Sequence, residues 1–118
     1  MQFCIVLKGM VELYNPDYWC IIKITGEDPH YRVFGSWTGG YTYGSSWRMN
    51  SGITRCYEVD DAFRFEGSSG SLYNCHKSAY GVHWESQGIL QDYINRSDGK
   101  ITEMPEDTNW LEMDWIIS

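Results

Sequence analysis

The chain has 118 residues and a formal net charge of −7, and aromatic residues make up 16% of it. This composition indicates one globular domain over residues 1–118 and excludes intrinsic disorder, because disordered chains are poor in aromatic residues. No apolar run reaches the roughly 20 residues of a transmembrane helix and no basic leader begins the chain, so we expect no membrane contact and a cytoplasmic location.

Three strands are predicted in the first third of the chain. Phe3–Leu7 is the first, because strand alternation would place Phe3, Ile5 and Leu7 on one side. Tyr18–Thr25 is almost continuously apolar, which favours a central strand covered on both faces. His30–Trp37 follows a turn at Gly26–Pro29 and is predicted to return as the neighbouring strand.

A hairpin is predicted over Ile53–Glu66, followed by a strand at Ser71–Lys77. A three-residue loop of Asp60, Asp61 and Ala62 would pair Val59 with Phe63 and would keep like residues on each face. The residues then expected to face the core are Tyr57, Val59, Phe63 and Phe65, with Glu58 and Arg64 facing water.

The predicted helix runs from Ser86 to Arg96, with Ser86 as N-cap and Gly99 in the left-handed C-terminal position. A short strand at Lys100–Met104 follows, and Leu111–Ile117 suits either a closing strand or a helical turn. Together these elements predict an α+β domain with a mainly antiparallel sheet of about five to seven strands and one α-helix near residues 86–96.

Cysteine and histidine residues suggest two kinds of chemistry, and the spacing argues against both. A zinc site from Cys56, Cys75, His76 and His83 lacks a Cys-x₂-Cys pair, and adjacent residues of a strand point to opposite faces. A small hydrolase would need Cys75 as nucleophile and His83 as base. We therefore expect no catalytic residue, no metal and no cofactor, and keep the Cys75/His83 hydrolase as an alternative.

The C-terminal segment is strongly acidic, with six carboxylates from Asp98 onward against Lys100 alone. Such a surface repels nucleic acid and attracts basic proteins, including those that themselves bind nucleic acid. Tryptophan is enriched in interface hot spots. We therefore predict a protein-binding surface formed by Glu106, Asp107, Trp110, Glu112, Asp114 and Trp115.

A second binding surface is predicted in the loops rich in glycine, serine and aromatic residues. A cation beside aromatic rings suits a planar anionic ligand such as a nucleotide, and a homo-oligomer interface is one place where such a pocket would form. The residues of this alternative are Trp37, Tyr41, Trp47, Arg48 and Tyr73.

Three motifs between residues 33 and 81 resemble small uncharacterised proteins of tailed bacteriophages and prophages. They are Gly35-Ser-Trp-Thr-Gly-Gly-Tyr41, Ser46-Trp-Arg-Met-Asn-Ser-Gly-Ile53 and the run Gly67-Ser-Ser-Gly-Ser-Leu-Tyr-Asn-Cys-His-Lys-Ser-Ala-Tyr-Gly81. The resemblance implies a non-enzymatic protein that inhibits a host factor by binding it, as anti-CRISPR and other anti-defence proteins do. A sponge for a nucleotide immune signal is the alternative that fits the aromatic loops.

Overall fold

The computed structural model describes residues 12–38 and 46–116. These residues form one α-helix and eight strands, which confirms the α+β class and exceeds the predicted five to seven strands. The predicted strand Phe3–Leu7 lies outside the described residues. The elements are β1 (Leu13–Tyr14), β2 (Tyr18–Ile24), β3 (His30–Trp37), β4 (Ser46–Met49), β5 (Ile53–Val59), β6 (Ala62–Gly67), β7 (Leu72–His76), α1 (Trp84–Arg96) and β8 (Ile101–Glu103).

The strands form two four-stranded sheets. Sheet I has the order β4-β3-β2-β8 and is antiparallel throughout. Sheet II has the order β1-β7-β6-β5 and is antiparallel except for the parallel pair β1 and β7. The predicted strands at Tyr18–Thr25 and His30–Trp37 are confirmed as the adjacent central strands of sheet I.

Sheet I is covered on both faces because β2 is apolar at nearly every position. Trp19 and Ile21 pack into the core between the two sheets. Cys20 and Ile22 point the other way and pack with Leu90 of α1. The prediction of a doubly covered central strand is therefore correct.

Helix α1 begins at Trp84, two residues before the predicted start. The N-cap is His83, whose ring nitrogen accepts a hydrogen bond from the Glu85 backbone N–H at 3.3 Å. Ser86, the predicted N-cap, is instead buried inside the first turn. The predicted stop is confirmed, because Asp98 with φ 57° and Gly99 with φ 82° both follow the C-cap Ser97 in a left-handed conformation.

The β5–β6 hairpin has a two-residue turn, so the predicted three-residue loop is wrong. Val59 pairs with Ala62, and Glu58 pairs with Phe63. Glu58 therefore shares the face of Phe63 and Phe65, whereas Tyr57 and Val59 lie on the opposite face. This register is tolerated because Lys77 forms an ion pair with Glu58 and lies 5.3 Å from the centre of the Phe63 ring.

The chain after β8 contains a short 3₁₀ helix at Trp110–Glu112, so the tail forms a helical turn rather than a closing strand. The first residue after β8 is fixed to sheet I, because the Met104 N–H donates to the Ile21 carbonyl at 2.8 Å. Within the described residues, no helix is long and apolar enough to cross a membrane.

Candidate functional site

The C-terminal segment, residues 104–116, is anchored in the core between the sheets by its two tryptophans. Trp110 is 2% exposed and packs edge-on against Trp19, with ring centres 5.9 Å apart. Trp115 is 7% exposed and meets the Tyr31 ring edge-on at 5.3 Å. The two indoles also lie nearly parallel to each other, 6.3 Å apart.

This burial corrects the role predicted for the two indoles. Trp110 and Trp115 belong to the hydrophobic core cluster that also contains Phe65 and Val33. They cannot act as the exposed anchors of a docking surface in this arrangement. Their contribution is to fix the backbone of the segment against the rest of the molecule.

The carboxylates predicted on this segment lie at its outer side. Glu106, Asp107, Glu112 and Asp114 are all exposed. Within residues 12–38 and 46–116, none of the four forms an ion pair. Their negative charges are therefore not neutralised by neighbouring lysine or arginine side chains in the described part of the molecule.

The same segment also exposes two aliphatic side chains. Leu111 is 46% exposed and Ile116 is 63% exposed, and each directly follows a buried tryptophan. The Asn109 side chain accepts a hydrogen bond from the Leu111 N–H at 3.2 Å and so fixes the start of the 3₁₀ helix. We call the six outward residues the acidic surface: Glu106, Asp107, Leu111, Glu112, Asp114 and Ile116.

Glu103 on β8 extends the negative charge to the edge of sheet I. The residue is exposed overall, but partial desolvation of its carboxyl group raises its pKa. Strand β8 pairs with β2 on one side and is the last strand of its sheet. The acidic surface therefore adjoins a sheet edge that also carries a carboxylate.

The residues of the alternative ligand pocket do not all come together. Arg48 lies 4.7 Å from the centre of the Tyr14 ring and donates to the Tyr14 hydroxyl at 2.7 Å. Tyr73 and Trp37 contact the same Tyr14 ring, with centres 4.9 and 6.4 Å away. Arg48, Tyr73 and Trp37 thus surround one residue, Tyr14.

Trp47 and Tyr41 are not part of this cluster. The Trp47 ring stacks on Phe34 at 5.4 Å and meets Tyr93 of α1, on the helix-covered face of sheet I. Alternation along β4 separates it from Arg48. Tyr41 lies outside the described residues.

The thiols are placed in the core rather than at a reactive site. Cys75 is buried between the sheets, and burial raises its pKa well above the ordinary value. Burial and the charge of Glu58 raise the pKa of Cys56 to about 12. A nucleophilic cysteine needs a lowered pKa and access to substrate, and Cys75 has neither.

The histidines do not join the thiols. His76 is exposed at the end of β7, and His83 caps α1. In the ranges 12–38 and 46–116, no group of three or more histidine, cysteine or acidic residues is arranged to hold a metal ion.

Sequence reasoning missed three residues of the acidic surface and of the aromatic cluster around Arg48: Tyr14, Leu111 and Ile116. A usable signal existed for two of them. Trp110–Leu111 and Trp115–Ile116 are both pairs of a tryptophan followed by an aliphatic residue, and burial of the larger side chain directs its neighbour outward.

Comparisons of the chain with protein-family models, with curated proteins and with solved structures found no match.

Proposed function

We propose that this chain is a non-enzymatic binding protein that associates with a basic surface of a partner protein through the acidic surface. The observation that supports this most is that one anchored segment carries two exposed aliphatic side chains and four exposed carboxylates, none of them ion-paired with another described residue. The buried indoles of Trp110 and Trp115 hold this segment in place, so little ordering is needed on binding.

Charge and apolar contact have separate roles in this proposal. Complementary charge speeds the encounter of the partners and orients them. Removal of the Leu111 and Ile116 side chains from water then stabilises the docked complex. Leu111 and Ile116 thus provide the apolar contact that the sequence analysis predicted for Trp110 and Trp115.

The expected partner is a host protein whose basic surface serves to bind nucleic acid. The resemblance of residues 33–81 to small phage and prophage proteins supports a host target. The net charge of −7 supports a target with a basic surface, because an acidic protein competes for the surface that nucleic acid phosphates occupy. The proposed outcome is inhibition of an anti-phage defence component by stoichiometric binding in the host cytoplasm.

The proposal is tested by capture of the partner from host lysate, followed by affinity measurement with the purified partner. A variant with Glu106→Gln, Asp107→Asn, Glu112→Gln and Asp114→Asn should bind at least about tenfold more weakly at low salt, with a flatter salt dependence. Unchanged affinity in this variant would eliminate the acidic surface as the binding site.

A matched variant controls for the change in net charge. Glu27, Asp60, Asp61 and Asp98 are exposed carboxylates in bends and turns outside the acidic surface. Neutralising these four removes the same number of charges and should leave most of the affinity intact. Equal loss in both variants would indicate that net charge, rather than the acidic surface, drives the association.

A further inference from the structure

A cleft of about 210 Å³ lies between the edge of sheet I and the Gly67–Ser71 loop of sheet II. Its wall is rich in hydrogen-bond donors and contains none of the six residues of the acidic surface, although Arg32 and Ser51 also line the neighbouring cavity that Ile116 borders. The donors belong to Arg32, Arg48, Asn50, Ser51, Ser69 and Ser71.

Asn50 carries a buried donor for which the described residues supply no partner. The residue is 3% exposed, and its side-chain oxygen accepts from the Val33 N–H at 2.9 Å. Its side-chain nitrogen, Nδ2, has no hydrogen-bond partner among residues 12–38 and 46–116. Buried polar groups are nearly always paired, so this amide is expected to bind water or a ligand.

Two serine hydroxyls converge with the Asn50 amide at Gly67. A side-chain carbon added at Gly67 would lie 2.8 Å from the Ser71 Oγ, 3.2 Å from the Ser51 Oγ and 3.4 Å from the Asn50 Nδ2. The three polar groups therefore pack closely against Gly67, and any side chain at this position would displace them. Because Asn50, Ser51 and Ser71 all line the cleft, these groups lie close together at its wall.

The charges around the cleft favour an anion. Arg48 donates to the Tyr14 hydroxyl, and Arg32 donates to the His30 ring at 2.9 Å. Neither guanidinium forms an ion pair within the described ranges. Glu12 is the one carboxylate among the described residues that line the cleft, so two positive charges face one negative charge.

We infer that this cleft binds a small oxyanion of the phosphate class. Guanidinium groups pair with phosphate oxygens in a bidentate manner, and the Asn50 amide and the Ser69 and Ser71 hydroxyls donate to the remaining oxygens, whereas the Ser51 hydroxyl already donates to Ser69. The Tyr14 ring already contacts Arg48 and Tyr73, so no base-stacking face is assigned to it. The phosphate group, rather than a nucleobase, is therefore the part of the ligand that is recognised.

Calorimetry of the full chain with inorganic phosphate, AMP and adenosine tests the inference. Phosphate and AMP should bind and adenosine should not. Equal affinity for phosphate and AMP would identify the free anion as the ligand, and tighter binding of AMP would identify a phosphate monoester. Absence of phosphate and AMP binding at millimolar concentration, or binding of adenosine as tight as that of AMP, would overturn the inference.

Two variants change the site in opposite directions. Arg48→Gln should weaken phosphate binding at least about tenfold, because a charge-assisted hydrogen bond is lost. Glu12→Gln should tighten it, since a repelling carboxylate is removed, and this gain cannot come from misfolding. The control Arg55→Gln removes one charge from the outer side of β5 and should change the affinity less than about twofold. Equal affinity in Arg48→Gln, Glu12→Gln and the unaltered chain would also overturn the inference.

Discussion

The two C-terminal tryptophans and the residues that follow them lie on opposite sides of one backbone. Trp110 and Trp115 are buried, whereas Leu111 and Ile116 are exposed. The indole has the larger apolar area, so its burial against the aromatic core removes more surface from water than burial of a leucine would. The composition of the segment predicts an interface, but only packing decides which apolar residues are available to it.

This division between core and surface predicts different responses to truncation at adjacent positions. Trp110→Ala should lower the free energy of unfolding by about 3–5 kcal/mol, because it leaves a cavity among Trp19, Phe65 and Tyr80. Leu111→Ala should lower it by less than about 1 kcal/mol. Urea denaturation of both variants measures the difference, and equal destabilisation would contradict the assignment of Trp110 to the core.

At the scale of elements, local signals were reliable and distant ones were not. The continuous apolar run of β2 and the glycine after α1 predicted their elements correctly. The hairpin register was wrong because the ion pair that accommodates Glu58 comes from Lys77, which follows β7. The helix start was wrong because the N-cap is His83, a residue outside the usual Ser, Thr, Asp and Asn set.

Two glycines, one inside α1 and one just beyond it, should respond to alanine with opposite changes in the free energy of unfolding. Gly88 lies within the helix with open space around its Cα, so Gly88→Ala should raise the free energy of unfolding by about 0.5–1 kcal/mol. Gly99 has φ 82° and equally open space, so Gly99→Ala should lower it by about 1 kcal/mol through backbone strain alone. Thermal denaturation of the pair provides the measurement. Stabilisation by both would contradict the left-handed conformation of Gly99.

At the scale of the whole molecule, helix, sheet I and sheet II form successive layers, and the C-terminal segment closes the core between the sheets. The acidic surface was predictable in part, because carboxylates concentrated in one segment remain exposed in any compact fold. The phosphate cleft could not be predicted from the sequence, because Arg32, Asn50 and Ser71 lie in separate parts of the chain. Only the packing of the two sheets brings them together.

The layered core also sets how stability depends on pH. Burial raises the pKa of Cys20 and Cys75, and the pKa of Cys56 is raised to about 12. In the unfolded chain these thiols ionise near about pH 8.5. The buried neutral thiols therefore make their full contribution to the free energy of unfolding below about pH 8.5. This contribution falls as the pH rises toward about 12.

Urea denaturation between about pH 7.5 and about pH 10 measures this dependence. The free energy of unfolding should decline above about pH 8.5, by up to about 1.4 kcal/mol per pH unit for each of the fully buried thiols of Cys20 and Cys75 and by less for the half-buried Cys56. Cys56→Ala should show a shallower decline because it has one thiol fewer. A free energy of unfolding that does not change with pH in the unaltered chain would indicate that the thiols are in contact with solvent.

Hydrogen exchange of the complex with the captured partner tests the binding surface most directly. The backbone amides of residues 105–116 should exchange more slowly in the complex than in the free protein, and those of α1 should be unchanged. Slower exchange confined to α1 or to the cleft at Arg32 and Arg48, with residues 105–116 unaffected, would contradict the assignment of the acidic surface as the contact.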